Sequence, residues 1–170
     1  MVHTPIRRVI TGHGAKTNSA KVILDGPASN TKTPRDGVAS TLMWCTDEMP
    51  ADIAIGEDVE DMGARILGTA PPENGSRFIV MEFAPGIVSE MHRTETIDYI
   101  VMLSGEIDMD MDMDMDEGSV KLRAGDIMVQ RGTNHAWVNR STAPPRLAIV
   151  LMDAKPLGIG RPRLRGQQAR

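Results

Sequence analysis

Turn-forming residues interrupt this chain of 170 residues about every eight to twelve positions, and the segments between them are short and rich in Val, Ile and Leu. No segment carries a long run of apolar residues at the helical period. Short extended segments separated by turns are typical of β-sheets, so the pattern predicts an all-β protein. The predicted strands span residues 7–11, 21–24, 39–44, 65–69, 77–84, 97–103, 106–114, 119–123, 127–130, 135–139 and 146–152.

Length and composition favour one compact domain and disfavour some classes of partner. With 170 residues the chain is long enough for one sizeable core, and its formal net charge of -4 disfavours nucleic acid or an anionic membrane as a partner. The single Cys45 excludes an intramolecular disulfide. The N-terminal residues lack the apolar stretch of a secretory signal, and no apolar run is long enough to cross a bilayer. We therefore expect a soluble cytoplasmic protein.

Two segments combine glycines with side chains that bind metals or transfer protons. In the first, five residues separate Gly86 from His92, and six separate Asp98 from Gly105. Thr94 lies between the histidine and the aspartate. In the second, the relevant residues in chain order are Gly125, Gln130, Gly132, His135 and Asn139. Glycines at such positions indicate turns, which place the polar side chains near the ends of short strands.

The spacing resembles the two signature motifs of the cupin superfamily, small β-barrels that usually hold one metal ion in the barrel mouth. The family's first motif has a second histidine where this chain has Thr94, and a glutamate where it has Asp98. Gln130 stands where a turn proline is common. The resemblance implies a double-stranded β-helix, or jelly-roll barrel, with an N-terminal extension of strands and loops. It also implies a homodimer.

The resemblance divides the chain into three parts. Residues 1–64 are predicted to form an N-terminal extension that packs on the barrel, and residues 65–153 to form the cupin barrel. Residues 154–170 are predicted to be a basic C-terminal tail. Within the first part, residues 26–37 read as an exposed connection, and residues 50–61 as a short helix or a loop.

Two imidazoles and one carboxylate are the ligand set of non-haem iron sites with open positions. By the resemblance, His92, Asp98 and His135 would hold a single divalent metal ion, with iron, zinc, manganese and nickel as the candidates. The alternative is that these three residues form a hydrogen-bonded polar cluster without a metal. Four residues are predicted to bind the substrate: Thr94, Trp137, Asn139 and Met102. Arg93 and Arg131 flank the site, where either could attract a substrate carboxylate; the more common case is an arginine that is only solvated.

Aspartate alternates strictly with methionine from Asp108 to Asp116. A period of two predicts a strand with a wet aspartate face and a buried methionine face. A turn at residues 117–118 would pair this strand with the next one. Charge and burial then predict that Lys121 lies opposite Asp114, with Leu122 opposite Met113 and Arg123 opposite Asp112.

Two functions are consistent with the sequence. The first is a metal-dependent enzyme that acts on a small organic or aromatic molecule as an oxygenase, decarboxylase, isomerase or dehydratase. The second is a non-catalytic cupin that binds a small ligand in a degenerate, metal-free site. The fold alone does not choose between them.

Overall fold

A computed structural model describes residues 5–56, 59–111 and 118–159, and within these ranges the chain is built almost entirely of strands. Its one helical element there is a short 3-10 turn at Met62–Ala64. The all-β prediction is confirmed. The strands are β1 (Arg7–His13), β2 (Ala20–Pro27), β3 (Thr31–Arg35), β4 (Val38–Thr46), β5 (Ser76–Phe83), β6 (Thr96–Ser104), β7 (Glu106–Met111), β8 (Ser119–Arg123), β9 (Ile127–Arg131), β10 (His135–Val138) and β11 (Arg146–Asp153).

The strands form a six-stranded sheet, a three-stranded sheet and a separate hairpin. The large sheet has the order β3-β4-β5-β11-β6-β9, the small sheet the order β10-β7-β8, and β1 pairs with β2. All strand pairs are antiparallel. The segment that follows β5 lies beside β10, where Ser89 N–H donates to Trp137 O and Asn139 N–H donates to Ile87 O. These contacts extend the small sheet by one irregular strand.

The alternation of apolar residues determines which face of each strand enters the core. On β6, Ile100 and Met102 are buried while Tyr99 points outward and is 48% exposed. The same alternation on β11 directs Leu147, Ile149 and Leu151 inward. Side chains of both sheets interdigitate in one main cluster, because successive residues of a strand point to opposite faces.

The four motif glycines occupy turns, as predicted, and all have positive φ angles: Gly86 79°, Gly105 73°, Gly125 93° and Gly132 60°. At Gly105 the requirement is also steric. A Cβ atom there would lie 2.9 Å from Pro145 Cα, so a larger residue would clash with the loop before β11.

Two strand predictions were wrong. Residues 65–69 form no strand. Ile66 is 88% exposed, and the Arg65 carbonyl oxygen accepts from a side chain, Asn30 Nδ2, and not from a neighbouring strand. Conversely β3 lies inside the predicted connection. Its residues are all exposed, so it lacks the alternation by which the other strands are recognised. It lies at the edge of the sheet, where a proline such as Pro34 is tolerated.

The predicted register of the aspartate-methionine strand was also wrong. Lys121 pairs with Asp108, Leu122 with Ile107, and Arg123 with Glu106. The residues first expected as partners, 112–114, lie outside the described part of the chain. An alternation with a period of two is unchanged by any even shift, and the segment 106–108 offers the same order of charge and burial.

The aspartate face of β7 is not uniformly wet. Asp108 is only 5% exposed, and its carboxylate lies 3.4 Å from Lys121 Nζ and 3.2 Å from an Arg140 nitrogen. A buried carboxylate needs such partners. The methionine face behaves as predicted where it is described, because Met109 is buried and Met111 packs against the core.

The division of the chain at residue 64 does not coincide with a sheet boundary, because β3 and β4 precede it and belong to the six-stranded sheet. Of the predicted tail, residues 154–159 are described, and Arg93 Nη2 donates to Ile159 O at 2.9 Å. Residues 160–170 lie outside the described part. Nowhere in the described ranges is there a helix with the length and apolar character needed to span a membrane.

Candidate functional site

The two motif histidines lie directly opposite each other. His92 N–H donates to His135 O and His135 N–H donates to His92 O, both at 2.9 Å. Such a reciprocal pair places both side chains on the same face of the sheet. The imidazole centroids are 4.3 Å apart with the planes tilted by 51°. The backbone therefore brings together the first two residues that the sequence predicted for the site.

Each imidazole is anchored by a carbonyl two residues earlier in the chain. His92 Nδ1 lies 2.9 Å from Glu90 O, and His135 Nδ1 lies 3.0 Å from Thr133 O. A carbonyl oxygen only accepts, so in these bonds Nδ1 carries the hydrogen and Nε2 is left with a lone pair. That tautomer suits a general base, and it also suits a metal ligand.

Asp98 lies on β6 of the six-stranded sheet, whereas His135 begins β10 of the three-stranded sheet. Its side chain is 5% exposed, and burial raises the pKa of its carboxyl group. A hydrogen bond from the Thr96 side chain and the charge of His92 oppose that increase. The Thr96 and Thr94 hydroxyl oxygens are 2.7 Å apart, so Thr94 is connected to Asp98 through Thr96.

Burial acts on His135 in the opposite direction. The ring is 3% exposed, and desolvation lowers its pKa to about 4, although the bond to Thr133 O works against the change. The imidazole is therefore neutral near pH 7. A neutral histidine next to a carboxyl group of raised pKa is an arrangement able to accept and return protons.

A cavity of about 270 Å³ connects these groups. It is lined by both sheets, and its wall includes His92, Thr94, Asp98, Gln130, His135 and Trp137. The remaining wall is mostly aliphatic and aromatic. His135 contacts Trp137 edge to face, with 5.8 Å between the ring centroids. The predicted ligands and two of the predicted substrate-binding residues, Thr94 and Trp137, thus line one space.

The other two predicted substrate-binding residues do not line this cavity. Met102 is 2% exposed and belongs to the packed core. Asn139 Nδ2 donates to Phe83 O and Ala143 O, while its Oδ1 accepts from Ser141 N–H. Asn139 therefore stabilises a loop. Parity along a strand does not distinguish residues at the barrel mouth from those deeper in the core.

The sequence analysis missed three residues: Gln130 and Arg35, which line the cavity, and Thr96, which bonds to Asp98 without lining it. Gln130 was noted only as the absence of a proline, but it lies opposite Asp98 and its Nε2 is 2.5 Å from His135 Nδ1. Thr96 shares parity with Asp98, which was a usable signal. Arg35 lines the cavity at its edge strand, whereas Arg93 and Arg131 do not. Arg35 lies on β3, the exposed strand that falls inside the predicted connection.

The three predicted ligands do not form a complete metal centre. Across residues 5–56, 59–111 and 118–159 no group of three or more His, Cys, Asp or Glu side chains is arranged to hold a metal ion. The histidine pair has the right tautomer and the right chemistry, but a two-histidine site lacks the three or more protein ligands usual for catalytic metals. In this arrangement Asp98 is bound to Thr96 and does not complete the set.

Comparisons with known proteins agree with the fold. The Cupin domain family matches residues 79–152. The chain is 31% identical over 158 residues to "Cupin-domain-containing oxidoreductase virC" of Hypocrea virens, which covers 89% of this chain and 78% of that protein. It also resembles the solved cupin domain of Schizosaccharomyces pombe Cnp3, with a TM-score of 0.51 and 11% identity over 86% of this chain and 87% of that domain.

Another relative has a higher sequence identity but a shorter match. "Phomopsin biosynthesis cluster protein D" of Diaporthe leptostromiformis is 41% identical over 122 residues, which covers 69% of this chain. The match spans 62% of that relative's own length.

Proposed function

The chain belongs to the cupin family, and we propose that it is an enzyme that transfers protons on a small organic or aromatic molecule, as an isomerase or a dehydratase does. One observation carries the proposal: His135, a neutral buried base, lies beside His92 and Asp98 in a mostly apolar cavity. Relatives named for oxidoreductase activity and for biosynthesis clusters support an enzymatic role in making a small molecule.

His135 is the proposed general base. With Nδ1–H bound to Thr133 O, its Nε2 lone pair would accept a proton from carbon next to a carbonyl group. Exclusion of water by the surrounding apolar wall keeps the imidazole neutral, so the base is available at pH 7. The proton would then be returned to another atom of the substrate or to a leaving hydroxyl group.

His92 and Asp98 would assist the proton transfer by His135. His92 lies near enough to His135 to share the proton, and it is half-buried at the side of the cavity. Asp98, with its raised pKa, would accept a hydrogen bond from the substrate or hold a proton beside it. Trp137 provides a flat apolar surface against which a ring would pack.

Proton exchange in deuterium oxide tests this function without knowledge of the natural substrate. A panel of enolisable aromatic and aliphatic ketones is incubated with the protein and a chelator, and loss of C–H signals is followed by proton NMR. We expect exchange with the wild type and none with His135→Asn, a change that keeps a donor near Thr133 O. His13→Asn, in the exposed part of β1, is the matched control.

A metal-dependent enzyme of oxygenase or decarboxylase type is the second candidate. It is favoured by the Nδ1 anchoring of both histidines, which is common among metal-bound imidazoles, and by the oxidoreductase names of relatives. A metal bound there would polarise the substrate or activate oxygen or water. Exchange or oxygen consumption that disappears with the chelator would favour this candidate. Ligand binding without any turnover would instead favour the non-catalytic binding protein.

A further inference from the structure

We propose that the cavity binds an elongated carboxylic acid, with its carboxylate at Arg35, an apolar middle beside Trp137 and its reacting carbonyl group at His135. The inference rests on the proposed function for the reaction at His135, and it adds the chemical class and the orientation of the substrate. It uses Arg35, to which the proposed proton transfer assigns no part.

The residues of the cavity wall follow a definite order from His135 to Arg35. The ring centroids of His135 and Trp137 are 5.8 Å apart, and those of Trp137 and Phe83 are 6.1 Å apart. Phe83 on β5 is paired with Val38 on β4, and Val38 is paired with Arg35 on β3. All five residues line the cavity. The histidine and the arginine therefore lie at opposite ends of this row of contacts.

The register of the large sheet separates the same two ends. Asp98 is paired with Gln130, and one end of the Gln130 amide lies 2.5 Å from His135 Nδ1, so this cross-strand row lies at the histidine end. Arg77 of β5 belongs to the same row, with β11 between. Phe83 is the last residue of β5. At about 3.3 Å per residue, Arg77 and Phe83 are roughly 20 Å apart along the strand, so only an elongated ligand contacts both ends.

Arg35 supplies the cavity with a cation that has no counter-ion of its own. Among the described residues of the wall it is the one lysine or arginine, and within that part of the chain its guanidinium has no ion pair or hydrogen bond. Arg140 and Arg146, by contrast, are paired with carboxylates. Arg35 is also exposed, so it stands at an opening of the cavity. A guanidinium binds a carboxylate through two parallel hydrogen bonds, which makes a carboxylate the matching ligand group.

The wall between the two ends is apolar. Ile79 and Met81 lie between the two rows on β5, and both line the cavity together with Phe83 and Trp137. Burial of an aliphatic chain or an aromatic ring against such a wall is favourable by about 25 cal/mol per Å². A charged or hydroxyl group at this level would lose its hydration without gaining a partner. The substrate should therefore carry its charge at one end only.

The acid 3-(4-acetylphenyl)propanoate is a suitable probe, because it has a carboxylate, a ring and an enolisable acetyl group in this order. Its amide, 3-(4-acetylphenyl)propanamide, keeps the length and removes the charge. Its ortho isomer, 3-(2-acetylphenyl)propanoate, keeps the charge and the composition but brings the two ends close together. Affinities are measured by isothermal titration at pH 7 with a chelator, and exchange of the acetyl protons in deuterium oxide is followed by NMR.

We expect the wild type to bind the para acid about three- to fivefold more tightly than its amide, as for an exposed ion pair. It should bind the para acid at least about fivefold more tightly than the ortho isomer, which cannot use the whole apolar wall. Arg35→Met should abolish the preference for the acid over the amide. Arg131→Met, an exposed position on β9 that does not line the cavity, should keep it. Thermal unfolding verifies that each variant is folded.

The histidine end is tested by NMR of the imidazole groups. The para acid should shift the ring signals of His135, which are assigned by their absence in His135→Asn, and the ortho isomer should shift them less. Equal wild-type affinities for acid and amide or for the two isomers, no saturable binding of the para acid, unshifted His135 signals, or a charge preference that survives Arg35→Met would overturn the inference. Binding with the expected preferences but without proton exchange overturns the proposed function and leaves the orientation of the acid standing.

Discussion

His92 and His135 exchange both of their backbone hydrogen bonds, and this relationship holds the two imidazole rings 4.3 Å apart. The pairing joins residues that are distant along the chain, one after β5 and one at the start of β10. Because the main chain makes the bonds, the pair is assembled by folding and does not need a ligand to form. The cavity, Asp98 and Gln130 are then arranged around it.

The low pKa of His135 predicts a pH-dependent stability. The pKa is about 4 in the folded protein and 6.5 as the ordinary value, so between these pH values the unfolded chain binds a proton that the folded protein does not. The free energy of unfolding should fall as pH is lowered through this window, by up to about 3 kcal/mol. Asp98, whose pKa is raised, opposes the loss at the acidic end.

Urea unfolding at several pH values between 7.5 and 4.5 measures this effect. His135→Asn removes the titrating ring, so its stability should change less over the same range. The wild type and the variant share all other histidines, which makes their difference specific to His135. Parallel pH profiles for the two proteins would contradict the burial argument.

Thr94→His tests the ligand set. The substitution adds an imidazole beside Asp98 and Thr96, at the position where related motifs have their second histidine. We expect zinc or nickel to bind at least about tenfold more tightly to Thr94→His than to the wild type. Thr94→Val, which has nearly the shape of threonine, is the control. Equal metal affinities in wild type and Thr94→His would show that residue 94 is not directed at the histidine pair.

Arg35 should attract carboxylate ligands to the cavity. Its side chain is exposed and lines the cavity, so the effect is small: Arg35→Met should weaken benzoate binding by about two- to fivefold and leave binding of the neutral analogue benzamide unchanged. Arg131→Met, on β9 but away from the cavity wall, is the control. An equal loss in both variants would assign the effect to general charge.

The predicted homodimer has a matching surface. The outer face of β6 and β9 exposes the cross-strand pairs Tyr99–Val129 and Val101–Ile127. Contiguous exposed apolar side chains indicate an interface, and a second copy of the chain is the occupant that the family resemblance predicts. Light scattering should give a dimer for the wild type and a monomer for Val129→Lys. A monomeric wild type would contradict the prediction.

Local signals, namely the alternation of apolar residues, the glycine turns and the motif spacing, predicted the fold and singled out five residues that line one cavity: His92, Thr94, Asp98, His135 and Trp137. They did not predict features that depend on partners distant in the chain. The register of β7 was wrong because its repeat is unchanged by even shifts. Gln130 was missed because its place in the cavity wall follows from the pairing of β9 with β6, where it lies opposite Asp98. Met102 and Asn139 have the predicted alternation along the chain, but Met102 packs in the core and Asn139 stabilises a loop.

The metal content of the protein, purified without an affinity tag, tests the central proposal of metal-free proton transfer most directly. Elemental analysis and titration with iron(II), zinc, manganese and nickel are made for the wild type, His92→Ala and His135→Ala. We predict substoichiometric metal in all three and no wild-type site tighter than about 10 μM, since among the described residues no third ligand completes the histidine pair. One tightly bound metal per wild-type chain, lost in both variants, would contradict it.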